Sequence, residues 1–301
     1  MSNKLAFWVL LVSLGSSACT IDVRGEGRGH AVVLHEQRHV PVTGRPEVLI
    51  QTFDGSIQLR SWDRNEIRLD IERSAASRAD AEDARVEVTE QNGQLRIVAK
   101  SPGRKGDVTN LFGWMTTTVR LNVTLPRELN VEARTGDGAI DARGLSGRVE
   151  LRTGDGSVRI QHLDGQITVE TGDGAVLARD IRGAVVVNTG DGSVQMSGRF
   201  DDVRAQTGDG AIGIDVLPGS KITREWTLTT GDGSVTVRVP SDFNADMDAR
   251  TGDGSITTRG IRVTDSDTPE ERRRHVRGLI GTGGELLTLR TGDGGISVVA
   301  R

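Results

Sequence analysis

The chain has 301 residues, with 39 glycines against seven prolines, aromatic side chains at 3 % and no tyrosine. That composition excludes an ordinary wide-cored globular domain, because a 35 % hydrophobic share without large rings builds only a thin interior of Val, Ile, Leu and Ala. The 38 Lys and Arg nearly balance 42 Asp and Glu, for a net charge of −4, which excludes a general nucleic-acid binder and names no other partner.

Residues 1–18 read as an export signal: Lys4 supplies the positive region, Leu5 to Leu14 the apolar stretch, and Gly15-Ser16-Ser17-Ala18 the small-residue cleavage region. The apolar stretch is too short to span a bilayer. Cys19, the only cysteine, follows directly and resembles the lipobox cysteine of bacterial lipoproteins, which is acylated and becomes the first mature residue. Ser16 departs from that pattern, and Ser16-x-Ala18 also suits ordinary signal peptidase, leaving a soluble secreted protein as the alternative. A single cysteine forms no disulfide framework, and acylation accounts for its position. The lipobox resemblance implies a membrane partner through the lipid, and Thr20 after the cysteine points to an outer membrane or its periplasmic face.

Residues 19–46 lack periodicity and are expected to be a tether. They hold His35-Glu36-Gln37-Arg38-His39, the spacing with which a helix binds zinc and activates water. Gly29 and Pro41 leave little room for that helix and no third ligand follows at a suitable spacing, so no metal site is expected.

Residues 47–126 are expected to form a looser β region. Thr52-Phe53-Asp54-Gly55 imitates the turn repeated downstream, and Ile57, Leu59, Ile67, Leu69 and Ile71 alternate with polar residues. Ala75 to Ala84 reads as a short helix or loop. Val86-Glu87-Val88 and Leu95 to Val98 read as a hairpin closing at Asn92-Gly93, and Val119 to Leu125 as a strand stopped by Pro126.

Residues 127–301 carry the decisive signal. Thr-Gly-Asp-Gly begins at Thr135, Thr153, Thr171, Thr189, Thr207, Thr230, Thr251 and Thr291; the first five copies are 18 residues apart and the later gaps are 23, 21 and 40. Gly147, Gly165 and Gly183 divide the unit into two halves, each a turn and a short alternating strand, such as Val158 and Ile160 against Arg159 and Gln161. Stacked units place equivalent residues in columns about 4.8 Å apart, which is a parallel β-solenoid. One coil buries too few apolar atoms to offset the entropy of ordering its residues, so neighbouring coils must hold one another.

The repeat aligns Asp137, Asp155, Asp173, Asp191, Asp209, Asp232, Asp253 and Asp293 along one corner. Adjacent carboxylates repel by about 1 kcal/mol even in bulk water. Calcium would relieve this, as in β-rolls with a nine-residue rhythm, but Val158, Val176 and Val194 stand where those motifs carry a second aspartate. The favoured reading is structural: turn amides, Thr hydroxyls and nearby arginines such as Arg134, Arg152, Arg250 and Arg290 neutralise the column, and glycine supplies positive φ.

In the last gap, Thr268-Pro269-Glu270-Glu271 forms a capping box, predicting a short helix near 268–280. Val276, Leu279 and Ile280 would pack on the solenoid, leaving Arg272, Arg273 and Arg274 as a solvated face or a patch for anionic lipid or polysaccharide.

Three features together, Gly55-Ser56-Ile57 followed by Trp62-Asp63, the strand ending at Leu125-Pro126, and the ladder of Gly-Asp-Gly turns, resemble a bacterial adhesin-like β-strand-repeat family, domain of unknown function 4097, over about residues 47–301. The resemblance implies an all-β envelope protein without agreed catalytic residues. No catalytic residue or cofactor is expected: His162 and His275 stand apart, and equivalent aspartates share one environment where an acid–base pair needs two. The expected function is a non-catalytic envelope interaction protein, its partner an envelope protein or glycan and not nucleic acid. The alternatives are a calcium-binding β-roll and a polysaccharide-active enzyme, for which Asp201-Asp202 and Asp246 with Asp248 are the only acidic pairs to consider.

Overall fold

The computed structural model describes residues 22–24, 31–101, 117–264 and 271–300. The export signal, Cys19 and the capping residues Thr268 and Pro269 lie outside the described residues. The described chain is nearly all-β and folds as a β-solenoid, with one long apolar core and a small separate cluster of Leu34, Ala75 and Ala81.

Two parallel ladders face each other across that core. In one, Ile140, Val158, Val176, Val194 and Ile212 are successive register partners; in the other, Val131, Val149, Ile167, Val185 and Val203 are. Each residue pairs with its equivalent 18 residues on, so side chains that point inward in one coil point inward in all. Pairs such as Val158 with Ile160 and Ile167 with Val169 are fully buried. The Thr-Gly-Asp-Gly turn joins the two ladders within a coil.

The turn glycines are present for a different reason from the one expected. None of the glycines at 154, 156, 172, 174, 190 and 192 has a left-handed φ; a Cβ there would collide with the carbonyl of the coil below. The mid-repeat Gly147, Gly165 and Gly183 do sit at φ of 124°, 126° and 111°.

The coils do not stack wholly in chain order. Glu47–Gln51 and Ile57–Trp62 form a coil lying between Gln94–Ala99 with Thr118–Pro126 on one side and Val131–Arg134 with Ile140–Arg143 on the other. At the far end the last coil, Leu286–Thr291 and Ile296–Ala300, slots between Trp226–Thr229 with Val235–Val239 and Ala245–Thr251 with Ile256–Arg259. The connection from Val239 to Ala245 therefore climbs two rises. Phe243 in that connection packs on Trp226 at 5.3 Å, and Trp226 meets Phe200 edge-on at 6.1 Å, so three rings fill the widened corner.

The ends are antiparallel. The expected tether instead contains the strand Val32–Pro41, paired along its length with Glu66–Ala75, which in turn pairs with Thr118–Pro126. Its inward positions include the charged Glu36 and Arg38, which hid the alternation. Of the expected helix at 268–280, Glu271–Arg274 is helical, but His275–Ile280 is a strand antiparallel to Ala245–Thr251. Pairing with an otherwise open ladder edge outweighs the local helix signal, and Val276 and Ile280 are buried as strand residues while Leu279 faces outward, half-buried. The expectations for residues 75–99 hold: Ser77 caps the helix Arg78–Asp83, and Val86–Gln91 pairs with Gln94–Ala99 around Asn92 and Gly93, at φ of 54° and 75°.

Candidate functional site

The Thr-Gly-Asp-Gly corner divides its residues between inside and outside. The threonines are buried, and from Thr153 onward each hydroxyl is shared between two carbonyls of the adjacent coil: Thr171 Oγ1 reaches Gly154 O at 3.1 Å and Gly156 O at 3.0 Å, and Thr189 Oγ1 reaches Gly172 O and Gly174 O at 3.0 and 3.1 Å. The aspartates Asp137, Asp155, Asp173, Asp191, Asp209, Asp232, Asp253 and Asp293 are all exposed. The expected arginine partners go elsewhere: Arg134 pairs with Glu132, Arg152 with Glu170 at 3.3 Å, and Arg250 with Asp248 at 3.1 Å. Arginines two residues ahead of the turn glycine point from the strand face and meet carboxylates of that face. Among the described turn aspartates, Asp253 alone has an ion pair, with Arg274 at 3.3 Å. Water of high dielectric screens the rest. Val158, Val176 and Val194 are buried inward, and no three His, Cys, Asp or Glu converge on a metal-sized site among the described residues.

The His35-Glu36-x-x-His39 segment lies on a strand, where alternation separates its members. His35 and His39 face outward toward Glu72 at 4.0 Å and Glu66 at 3.5 Å. Glu36 faces inward, 7 % exposed, accepting hydrogen bonds from Arg38 Nε and an Arg73 terminal nitrogen, both at 2.5 Å. Arg38 also donates to Val86 O at 2.7 Å. The glutamate that would activate water on a helix is here the anchor of a clamp tying three strands at the N-terminal end.

Near the other end, Asp248 accepts from Arg250, lies 3.1 Å from His275 Nε2 and faces Arg277 at 3.9 Å. Burial raises its carboxyl, but the hydrogen bond and charge of Arg250, with the charges of His275 and Arg290, outweigh this and hold it below the usual carboxylate range. Asp246 instead accepts from Gly284 N at 3.2 Å. Asp201 serves through its carbonyl, which takes Thr223 and the Trp226 indole. Arg273 and Arg274 are exposed on the short helical turn; the side chain of Arg272 lies outside the described residues.

One site was not anticipated. The mid-repeat corner residue is Gly144 in one coil, but its register equivalents in the next two are His162 and Asp180, which keep left-handed φ of 55° and 54°. Their side chains meet at 3.4 Å. They line a cleft of about 390 Å³ together with Arg127, Arg182, Arg199 and Leu217. The replacement of glycine at 18-residue spacing was the available signal.

The sequence model of a family described as Toastrack DUF4097 matches residues 39–299. No curated protein matches the chain. Among solved structures, a "putative lipid binding protein" from Parabacteroides distasonis is 14 % identical with a TM-score of 0.50, covering 90 % of this chain and 98 % of its own. A "putative adhesin" from Parabacteroides merdae is 12 % identical with a TM-score of 0.46, covering 90 % and 97 %. Another from Bacteroides fragilis is 12 % identical with a TM-score of 0.42, covering 89 % and 97 %. At these identities the likeness concerns the fold alone.

Proposed function

The chain belongs to the Toastrack DUF4097 family, and we infer that it is a non-catalytic surface protein of the cell envelope, a rod that presents periodic polar rows to an envelope protein or glycan. The observation that carries this reading is the uniformity of the Thr-Gly-Asp-Gly coils: each of these repeats an exposed turn aspartate and an outward polar row around one thin core. A surface of this kind suits a partner with its own repeat. The chemistry-bearing side chains support the same reading, because the threonines are spent on the carbonyl ladder and Glu36 on its clamp.

Acylation at Cys19 would hold the rod by its N-terminal end, where Asp22–Arg24 pairs with Val32–Pro41. Among the described residues ten coils are stacked, which spans on the order of 40 Å at about 4.8 Å per rise. The exposed Arg273 and Arg274 would then lie near the end away from the anchoring membrane, open to an acidic partner. No described helix is long and apolar enough to cross a membrane.

A pulldown from envelope extracts, set beside a glycan-hydrolysis screen, tests the function. Capture of one defined envelope component without hydrolysis is the expected result, and turnover of a polysaccharide would overturn it. Cys19→Ser should move the protein from the membrane pellet to the soluble fraction.

A further inference from the structure

We propose that the mid-repeat corner around Arg182 and Arg199 is a binding site for a terminal phosphate group. The starting point is a local cost. A non-glycine residue in the left-handed region is disfavoured by roughly 1–2 kcal/mol, less for a residue with a short polar side chain. Gly144 shows that glycine fits this corner, yet His162 and Asp180 occupy the two following equivalents. Turn geometry alone does not select them.

The second observation is electrostatic. Arg182 and Arg199 are direct register partners on adjacent parallel strands, so their side chains leave the same face one strand spacing apart. Like charges directly opposite one another destabilise a sheet. Asp164 is the register partner of Arg182 on its other side and lines the same cleft, but neither arginine has an ion-pair partner among the described residues, and Arg127 has none either. Arg199 Nε donates to Pro218 O at 3.0 Å, which fixes its guanidinium beside the cleft. Three arginines thus line one concavity against Asp164 and Asp180, an excess of positive charge that an anion would relieve.

The geometry favours phosphate over carboxylate. One guanidinium saturates a carboxylate through a two-point fork, whereas a terminal phosphate has three oxygens and close to two negative charges to share among several forks. Leu217, 38 % exposed, forms an apolar wall of the same cleft. A phosphorylated ligand carrying an alkyl chain, or a polyol phosphate, would present the same group; the two sources differ in what touches Leu217.

The test is titration calorimetry on the full chain with inorganic phosphate, glycerol 3-phosphate and dihexanoyl phosphatidic acid, with dihexanoyl phosphatidylserine and chloride as controls. Phosphate and its monoesters should bind one to one, and the double variant Arg182→Gln with Arg199→Gln should weaken them at least tenfold. In phosphate-free buffer that variant should be at least as stable as the parent, because the like-charge contact is gone, and it should lose the phosphate-induced rise in Tm. Leu217→Ser weakening only the lipid identifies a headgroup; equal effects on all three identify a soluble phosphate. Absence of phosphate binding to the parent, or binding that survives the double variant, overturns the proposal.

Discussion

The role of the turn glycines makes a sharp prediction, because the structure assigns glycine two separate jobs. Gly93 has φ of 75° and open space around its missing Cβ. Gly93→Ala should therefore cost only the left-handed penalty, about 1–2 kcal/mol. Gly174 has no left-handed φ, but an added Cβ would lie 2.6 Å from the Gly156 carbonyl carbon and 2.6 Å from Thr171 Oγ1. Comfortable separations begin at about 3.5 Å, so the two coils must part by roughly 1 Å there. Thr171 Oγ1 shares its proton between Gly154 O and Gly156 O at 3.1 and 3.0 Å across that gap. Lengthened by that amount neither contact is a hydrogen bond, and losing the bond while leaving a buried hydroxyl and carbonyl unsatisfied brings the cost of Gly174→Ala to about 3 kcal/mol. Urea denaturation followed by far-UV circular dichroism measures both variants. If Gly174→Ala proves no more costly than Gly93→Ala, close approach is not why the turn carries glycine.

Four further outcomes follow from the same geometry. Thr189→Val, which keeps the shape and removes the hydroxyl, should lose about 1–3 kcal/mol in the same assay, since Gly174 O is left buried without its donor; Thr189→Ser should recover most of it. Glu36→Ala should cost about 3–5 kcal/mol by leaving Arg73, whose side chain is 11 % exposed, without its carboxylate, and a loss below 1 kcal/mol would contradict the clamp. Asp248 has a folded pKa below its unfolded value, so its stabilisation is present above about pH 4 and disappears as pH falls through the lowered folded pKa; Asp248→Asn should flatten that part of the stability profile measured by thermal melts. Amides of Ile296–Ala300, flanked by strands on both sides, should exchange as slowly as those of the central coils; rapid exchange there would argue against the inserted coil.

Where the repeat is regular, reading the chain was enough. The 18-residue period, the inward Val and Ile columns, the Asn92-Gly93 hairpin and the solenoid itself all follow from local alternation and turn chemistry. The departures have separate causes. Glu36 and Arg38 point inward on Val32–Pro41 and form their own ion-paired interior, so alternation of apolar residues could not mark that strand. Val276 and Ile280 suit a helix stripe as well as a strand, and only the edge of Ala245–Thr251 decides between them.

Sequence by itself determined the unit: which residues turn, which face the core, and the fact that no unit stands alone. Tertiary structure decided the order of the units and what gathers at their corners. Any Thr-Gly-Asp-Gly coil offers nearly the same edge to any other, so local pattern cannot say that residues 286–300 lie between 226–239 and 245–259. That order is selected by the reach of the connections, by the rings of Phe200, Trp226 and Phe243, and by the antiparallel strand that closes the end. The cleft at His162 and Asp180 arises in the same way, since stacking alone brings Arg127, Arg182 and Arg199 to one side of the rod.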